Sequence, residues 1–106
     1  MAQPSTTQLE TMITMLRMNL GLIFDYMDVD AKAEKELELT QYIYSSIDYI
    51  EREGIILDYD VVSDLMLIVM YSNYLYDRRK DGVALMPRSL RWNLNNRLFS
   101  QKVKVV

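Results

Sequence analysis

Val61-Val62-Ser63-Asp64-Leu65-Met66-Leu67-Ile68-Val69-Met70, running on into Tyr71-Ser72-Asn73-Tyr74-Leu75-Tyr76-Asp77-Arg78-Arg79, decides the fold class of this chain. The stretch contains neither glycine nor proline, and it is too long for a strand. Its first half leaves almost no polar face, and a helix apolar all round is expected to be buried all round, in a core or an interface. Asp58 or Asp60 is its expected N-cap, and its expected length is about twenty residues. The closing Asp77-Arg78-Arg79-Lys80 puts cations where the helix dipole favours them, and Gly82 is the expected stop.

Working outward, residues 31–53 also lack glycine and proline, with Asp30 as the expected N-cap. Leu37, Thr40, Tyr44 and Ile47 make one apolar stripe, and Leu39, Ile43, Ile47 and Ile50 an adjoining one. Ser45 and Ser46 are small enough for another helix to approach closely. Gly54 suits the left-handed cap position, and Ile55-Ile56-Leu57 reads as an extended connector. Nearer the start, Thr7-Gln8-Leu9-Glu10 has the form of a capping box. Leu9, Met12, Ile13 and Leu16 follow at helical spacing toward Asn19, with Gly21 as the stop. The segment 22–30 is ambiguous between helix and turn because Asp25, Asp28 and Asp30 favour caps and turns. Beyond the central helix, Pro87 opens a fourth helix carrying Leu90, Leu94 and Leu98, flanked by Trp92 and Phe99, to about Gln101. The expected fold is all-α: one domain, a compact bundle of about four helices with two long central ones. Residues 1–6 and 102–106 are expected as flexible tails, the latter ordering when a partner binds.

Charge divides along the chain. Residues 1–77 hold four basic side chains against fourteen acidic ones, a net of −10, whereas residues 78–106 hold eight basic ones against Asp81 alone, a net of +7. A molecule so divided attracts copies of itself or places its basic end on another anion. This favours an assembly protein over an enzyme.

The chain has no cysteine and no histidine, which excludes disulfides, thiolate zinc sites, cysteine nucleophiles and the commonest general base. Read as a calcium loop from Asp25, the twelfth place falls on Glu36, but Met27, Val29 and Asp30 fill the third, fifth and sixth places, without ligands or the glycine turn. Glu34/Glu38 and Asp60/Asp64 are carboxylate pairs of the kind surface helices carry constantly, and no phosphate-binding glycine loop or nucleophile elbow is present. Neither enzymatic activity nor cofactor or metal is expected. The start, Met1-Ala-Gln-Pro-Ser-Thr-Thr, reads as no signal peptide, and the apolar run 65–71 is far short of a membrane span, so no membrane partner is expected.

Eight tyrosines and eight methionines suit adaptable packing and partner surfaces alike. Tyr42 and Tyr49, seven apart, lie away from the Leu37/Tyr44 stripe and form a candidate second face. The basic end suggests two further readings. One is a small helical regulator that binds DNA through residues 78–106; the other is a monomeric adaptor for one acidic helix.

The order of these elements resembles the small head–tail connector, or adaptor, proteins of tailed bacteriophages and prophages. The likeness is carried by Ile43-Tyr44-Ser45-Ser46-Ile47-Asp48-Tyr49-Ile50-Glu51, then Leu67-Ile68-Val69-Met70-Tyr71-Ser72-Asn73-Tyr74-Leu75-Tyr76-Asp77-Arg78-Arg79, then Met86-Pro87 and a leucine-bearing basic helix. It covers roughly residues 9–101. The resemblance implies a structural virion subunit, made in the bacterial cytoplasm and resident in the neck. Its copies form a ring beneath the portal protein that extends the DNA channel, passes close to DNA without reading it, and docks the next neck or tail protein. Glu34, Glu38, Tyr42, Tyr49 and Glu51 are then expected on one contact, and Arg88, Arg91, Arg97, Lys102 and Lys104 on the other. Reversing Arg91 and Arg97 to Glu is expected to abolish assembly while leaving helicity intact.

Overall fold

A computed structural model describes residues 3–22, 27–79 and 85–104. Four helices follow one another: α1 (Thr6–Asn19), α2 (Val29–Arg52), α3 (Val62–Arg78) and α4 (Arg88–Lys104). Among the described residues there is no strand, so the chain is an all-α bundle. The central helix is α3, which packs on each of the other three. The body measures 52 × 32 × 20 Å.

The caps differ in register from the sequence reading. Helix α1 starts earlier than Thr7 implied: Ser5 Oγ accepts from the Gln8 amide at 3.1 Å, and Gln8 Oε1 accepts from the Ser5 amide at 2.8 Å. Glutamine completes a capping box as well as glutamate does, so Ser5/Gln8 takes the role expected of Thr7/Glu10. The expected tail 1–6 is therefore shorter, since Pro4 is buried and Ser5 is the cap. The helix ends as expected at Gly21, whose φ of +68° is left-handed. There the Leu22 amide donates to Arg17 O and the Gly21 amide to Met18 O, closing the last turn.

Asp28, not Asp30, caps α2, accepting from the Ala31 amide at 2.7 Å. Asp30 lies inside the first turn, where its charge suits the dipole. Of the two expected stripes, Leu39, Ile43, Ile47 and Ile50 is the buried one. The other does not face the core: Leu37 is 60 % exposed and Tyr44 40 %. Ser46 supports the expected close approach, because its Oγ lies 2.9 Å from Ser72 Oγ across the α2–α3 seam. Gly54, at φ +95°, then reverses the chain.

Neither expected aspartate caps α3; Val61 holds the N-cap position without a side-chain hydrogen bond. Asp58 instead accepts from the Asp60 amide, and Asp60 accepts from Gln8 Nε2 at 2.9 Å, tying the start of α1 to this corner. The helix is also not buried all round in one chain. Leu65, Leu67, Ile68 and Val69 are buried, while Val62 and Met66 are exposed. Gly82 and Lys80 lie outside the described residues, as does Asp25. Pro87 precedes α4 and its carbonyl accepts from the Arg91 amide. This helix continues to Lys104 rather than stopping near Gln101, so most of the expected tail 102–106 is helical. Leu90 and Leu94 are buried as the spacing implied, with Leu98 half-buried beside them.

Candidate functional site

The basic C-terminal segment meets the acidic remainder within one molecule. Asp64, in the first turn of α3, is fully buried at 1 % exposure. Arg97 forks onto it, Nε to Oδ1 at 2.7 Å and Nη2 to Oδ2 at 3.0 Å, and Nη2 also donates to Ile56 O at 2.7 Å. The Asp58 amide fills the remaining position on Asp64 Oδ2. Bonding to Asp64 raises the Arg97 pKa against the opposing effect of burial. A second fork joins Arg91 to Glu53 at 2.7 and 3.1 Å, and it likewise raises the Arg91 pKa. Gln101 adds a neutral clamp, accepting from the Ile56 amide at 2.7 Å and donating to Gly54 O at 2.9 Å.

At the far end of α3, Tyr76 gathers two cations. Arg79 sits 3.9 Å from its ring centroid, and Lys35 Nζ is 3.4 Å from its hydroxyl. Burial pushes the Tyr76 phenol up, but the bonds from Arg79 and Lys35 outweigh it and the net pKa is lowered. Both cations also reach Glu38, Lys35 at 3.2 Å and Arg79 at 3.7 Å. Beside them Tyr42, Ser45 and Tyr49 of α2 face Leu75, Arg78 and Arg79 across an open cleft of about 460 Å³.

The residues singled out in the sequence thus fall into two groups. Arg91 and Arg97 are engaged inside the fold, and Glu38 is paired with its own chain's cations. Tyr42 is half-buried edge-on to Tyr76, and Tyr49 stacks on Tyr71 at 5.8 Å between centroids. Glu51 is half-buried, and its charge adds to the burial that raises the Tyr59 pKa. Glu34, Arg88 and Lys102 are exposed, and Lys104 is the last residue of α4. Because Arg97 pairs with a buried carboxylate, reversing it is expected to cost stability as well as to alter any contact made by this face.

The sequence reading named Leu37 and Tyr44 in an apolar stripe and Trp92 and Phe99 beside the α4 leucines, but assigned neither pair to an outer face. Leu37 and Tyr44 stand on the outer face of α2; Trp92, 66 % exposed, Phe99, 68 %, and Val103 stand on the outer face of α4. Their seven-residue spacing, 37/44 and 92/99, was the available signal. Arg88 precedes Trp92 by one helical turn, while Glu34 and Asp48 flank the Leu37/Tyr44 pair. One face is therefore basic and aromatic, the other acidic and apolar.

Among the described residues, no cluster of three potential metal ligands occurs, and no helix is long and apolar enough to cross a membrane. Comparison of the chain with protein-family models, with curated proteins and with solved structures returns no match.

Proposed function

We propose that this chain is a structural subunit of a tailed-phage neck. In this reading it is a head–tail connector that assembles with its own copies beneath the portal protein and offers a platform to the next neck or tail protein. The observation that carries this reading is the pair of uncovered faces of opposite charge on α2 and α4. Large apolar side chains left in water on regular helices mark surfaces that partners cover. Opposite charge at their margins steers the approach and rejects wrong partners. The resemblance in the order of the elements supplies the setting.

The DNA-regulator reading is weakened by the same geometry. Arg91 and Arg97 are held by Glu53 and Asp64, so they no longer offer free charge to phosphates.

The direct test is co-sedimentation of the chain with assembled portal rings. The chain is expected to pellet with the portal at low salt and to be released as salt rises. If it stays in the supernatant at every salt concentration, the neck assignment fails.

A further inference from the structure

We infer that the outer face of α4 in one molecule packs antiparallel on the outer face of α2 in a second copy of this chain. The inference rests on reading the chain as a self-assembling subunit, although not on where in a virion it assembles. Trp92 and Phe99 are seven residues apart, as are Leu37 and Tyr44. At about 1.5 Å per residue both pairs span about 10.5 Å, so two apolar knobs on one helix match two on the other.

Charge fixes the direction. With Trp92 on Tyr44 and Phe99 on Leu37, the helices run antiparallel, Arg88 falls opposite Asp48, and Lys102 comes level with Glu34. The parallel alternative, Trp92 on Leu37, sets Arg88 level with uncharged Ala33 and brings Val103 to Asp48. Like-on-like pairing is worse still. Two copies of α4 would bring Arg88 and Lys102 together with their counterparts, and two copies of α2 would gather Glu34 and Asp48. Asp48 already contacts Arg52 at 2.8 Å, but that pair is exposed on both sides and yields readily to a better-placed cation.

A molecule cannot make this contact with itself. Leu90 and Leu94 hold α4 by its opposite face, and the forks from Arg91 and Arg97 fix its rotation. Each copy therefore carries one face of each kind. The contact is then either exchanged reciprocally within a two-fold pair or passed from molecule to molecule until it closes.

The absence of cysteine makes the test direct. Asn95→Cys and Gln41→Cys are introduced into separate full-length samples, at positions that face each other in this register and are exposed in one chain. On mild oxidation the mixed samples are expected to cross-link far more than either alone; equal yields would overturn the inference. Sedimentation velocity over a concentration series supplies the second measurement. Arg88→Glu and Asp48→Arg are each expected to weaken self-association about tenfold, and the double variant is expected to recover most of it. If the wild type and every charge variant associate alike and the mixed cross-link fails, the chain assembles through other faces and only this inference falls. A wild type that stays monomeric at every concentration overturns both the contact and the self-assembly it rests on.

Discussion

Where α2 meets α3, Ile43, Ile50, Ile68 and Val69 are buried together with the Ser46–Ser72 pair, and the contacts of Lys35 and Glu38 with Tyr76 and Arg79 lie at one end of the seam. Where α4 meets the rest, two fully buried leucines are accompanied by two arginine forks and a glutamine clamp. The first seam is held mainly by displaced water and dense packing, which tolerate changes of salt. The second depends on a few directional bonds to residues 53–58 and Asp64, each requiring its partner at one position. Size and shape govern one half of the molecule, and identity of individual side chains governs the other. Arg97, on the buried Asp64, cannot be exchanged for another cation of similar length, because lysine lacks the fork.

The largest expected effect breaks that second half. Arg97→Glu removes the partner of a buried carboxylate and adds a like charge beside it, which should lower stability by about 3–5 kcal/mol. Urea unfolding followed by circular dichroism measures it; a loss below about 1 kcal/mol, the range of an exposed pair, would show that Asp64 does not need its partner. Ile43→Ala, at the packed seam, should cost about 2–5 kcal/mol through lost burial and a cavity. Hydrogen exchange sharpens the contrast between the two. Ile43→Ala should speed exchange throughout the bundle, whereas Arg97→Lys should speed it mainly in α4.

Alkaline pH acts on the packed half. Burial raises the pKa of Tyr59 and of Tyr71, so each phenol ionises earlier in the unfolded chain, near the ordinary value of about 10. Their contribution is complete below that value and is lost as pH rises through it toward the folded values. Tyr71→Phe should reduce the alkaline loss, as read from thermal midpoints at stepped pH. The smallest effect is expected from Arg91→Ala. Arg91 and Glu53 are 45 % and 28 % exposed, and an ion pair open to solvent contributes no more than about 1 kcal/mol.

Much of the packed half was legible in the sequence because its information is local. The spacing of Leu39, Ile43, Ile47 and Ile50 announces α2, Gly54 announces its end, and Gly21 the end of α1. Local information did not say which of two overlapping stripes on α2 faces inward. That choice is made by α3, whose buried Ser72 meets Ser46 on the inward side of α2. The caps slipped for a similar reason: Asp58 and Asp60 are both plausible caps until Gln8 and the Asp60 amide claim them. The site was less legible than the fold. Arg97 and Asp64 are 33 residues apart, and nothing near either one reveals that the first neutralises the second. In the linear charge pattern the basic end stands free for partners; folded, it is partly consumed at home.

The two serines at the α2–α3 seam bear on inheritance. Their hydroxyls touch each other, and each also returns a bond to its own helix, Ser46 to Tyr42 O and Ser72 to Ile68 O, both at 2.8 Å. Positions 46 and 72 therefore share one buried site, and a lineage that enlarges one is expected to shrink the other. Across diverging descendants of this chain, codons 46 and 72 are expected to change as a pair.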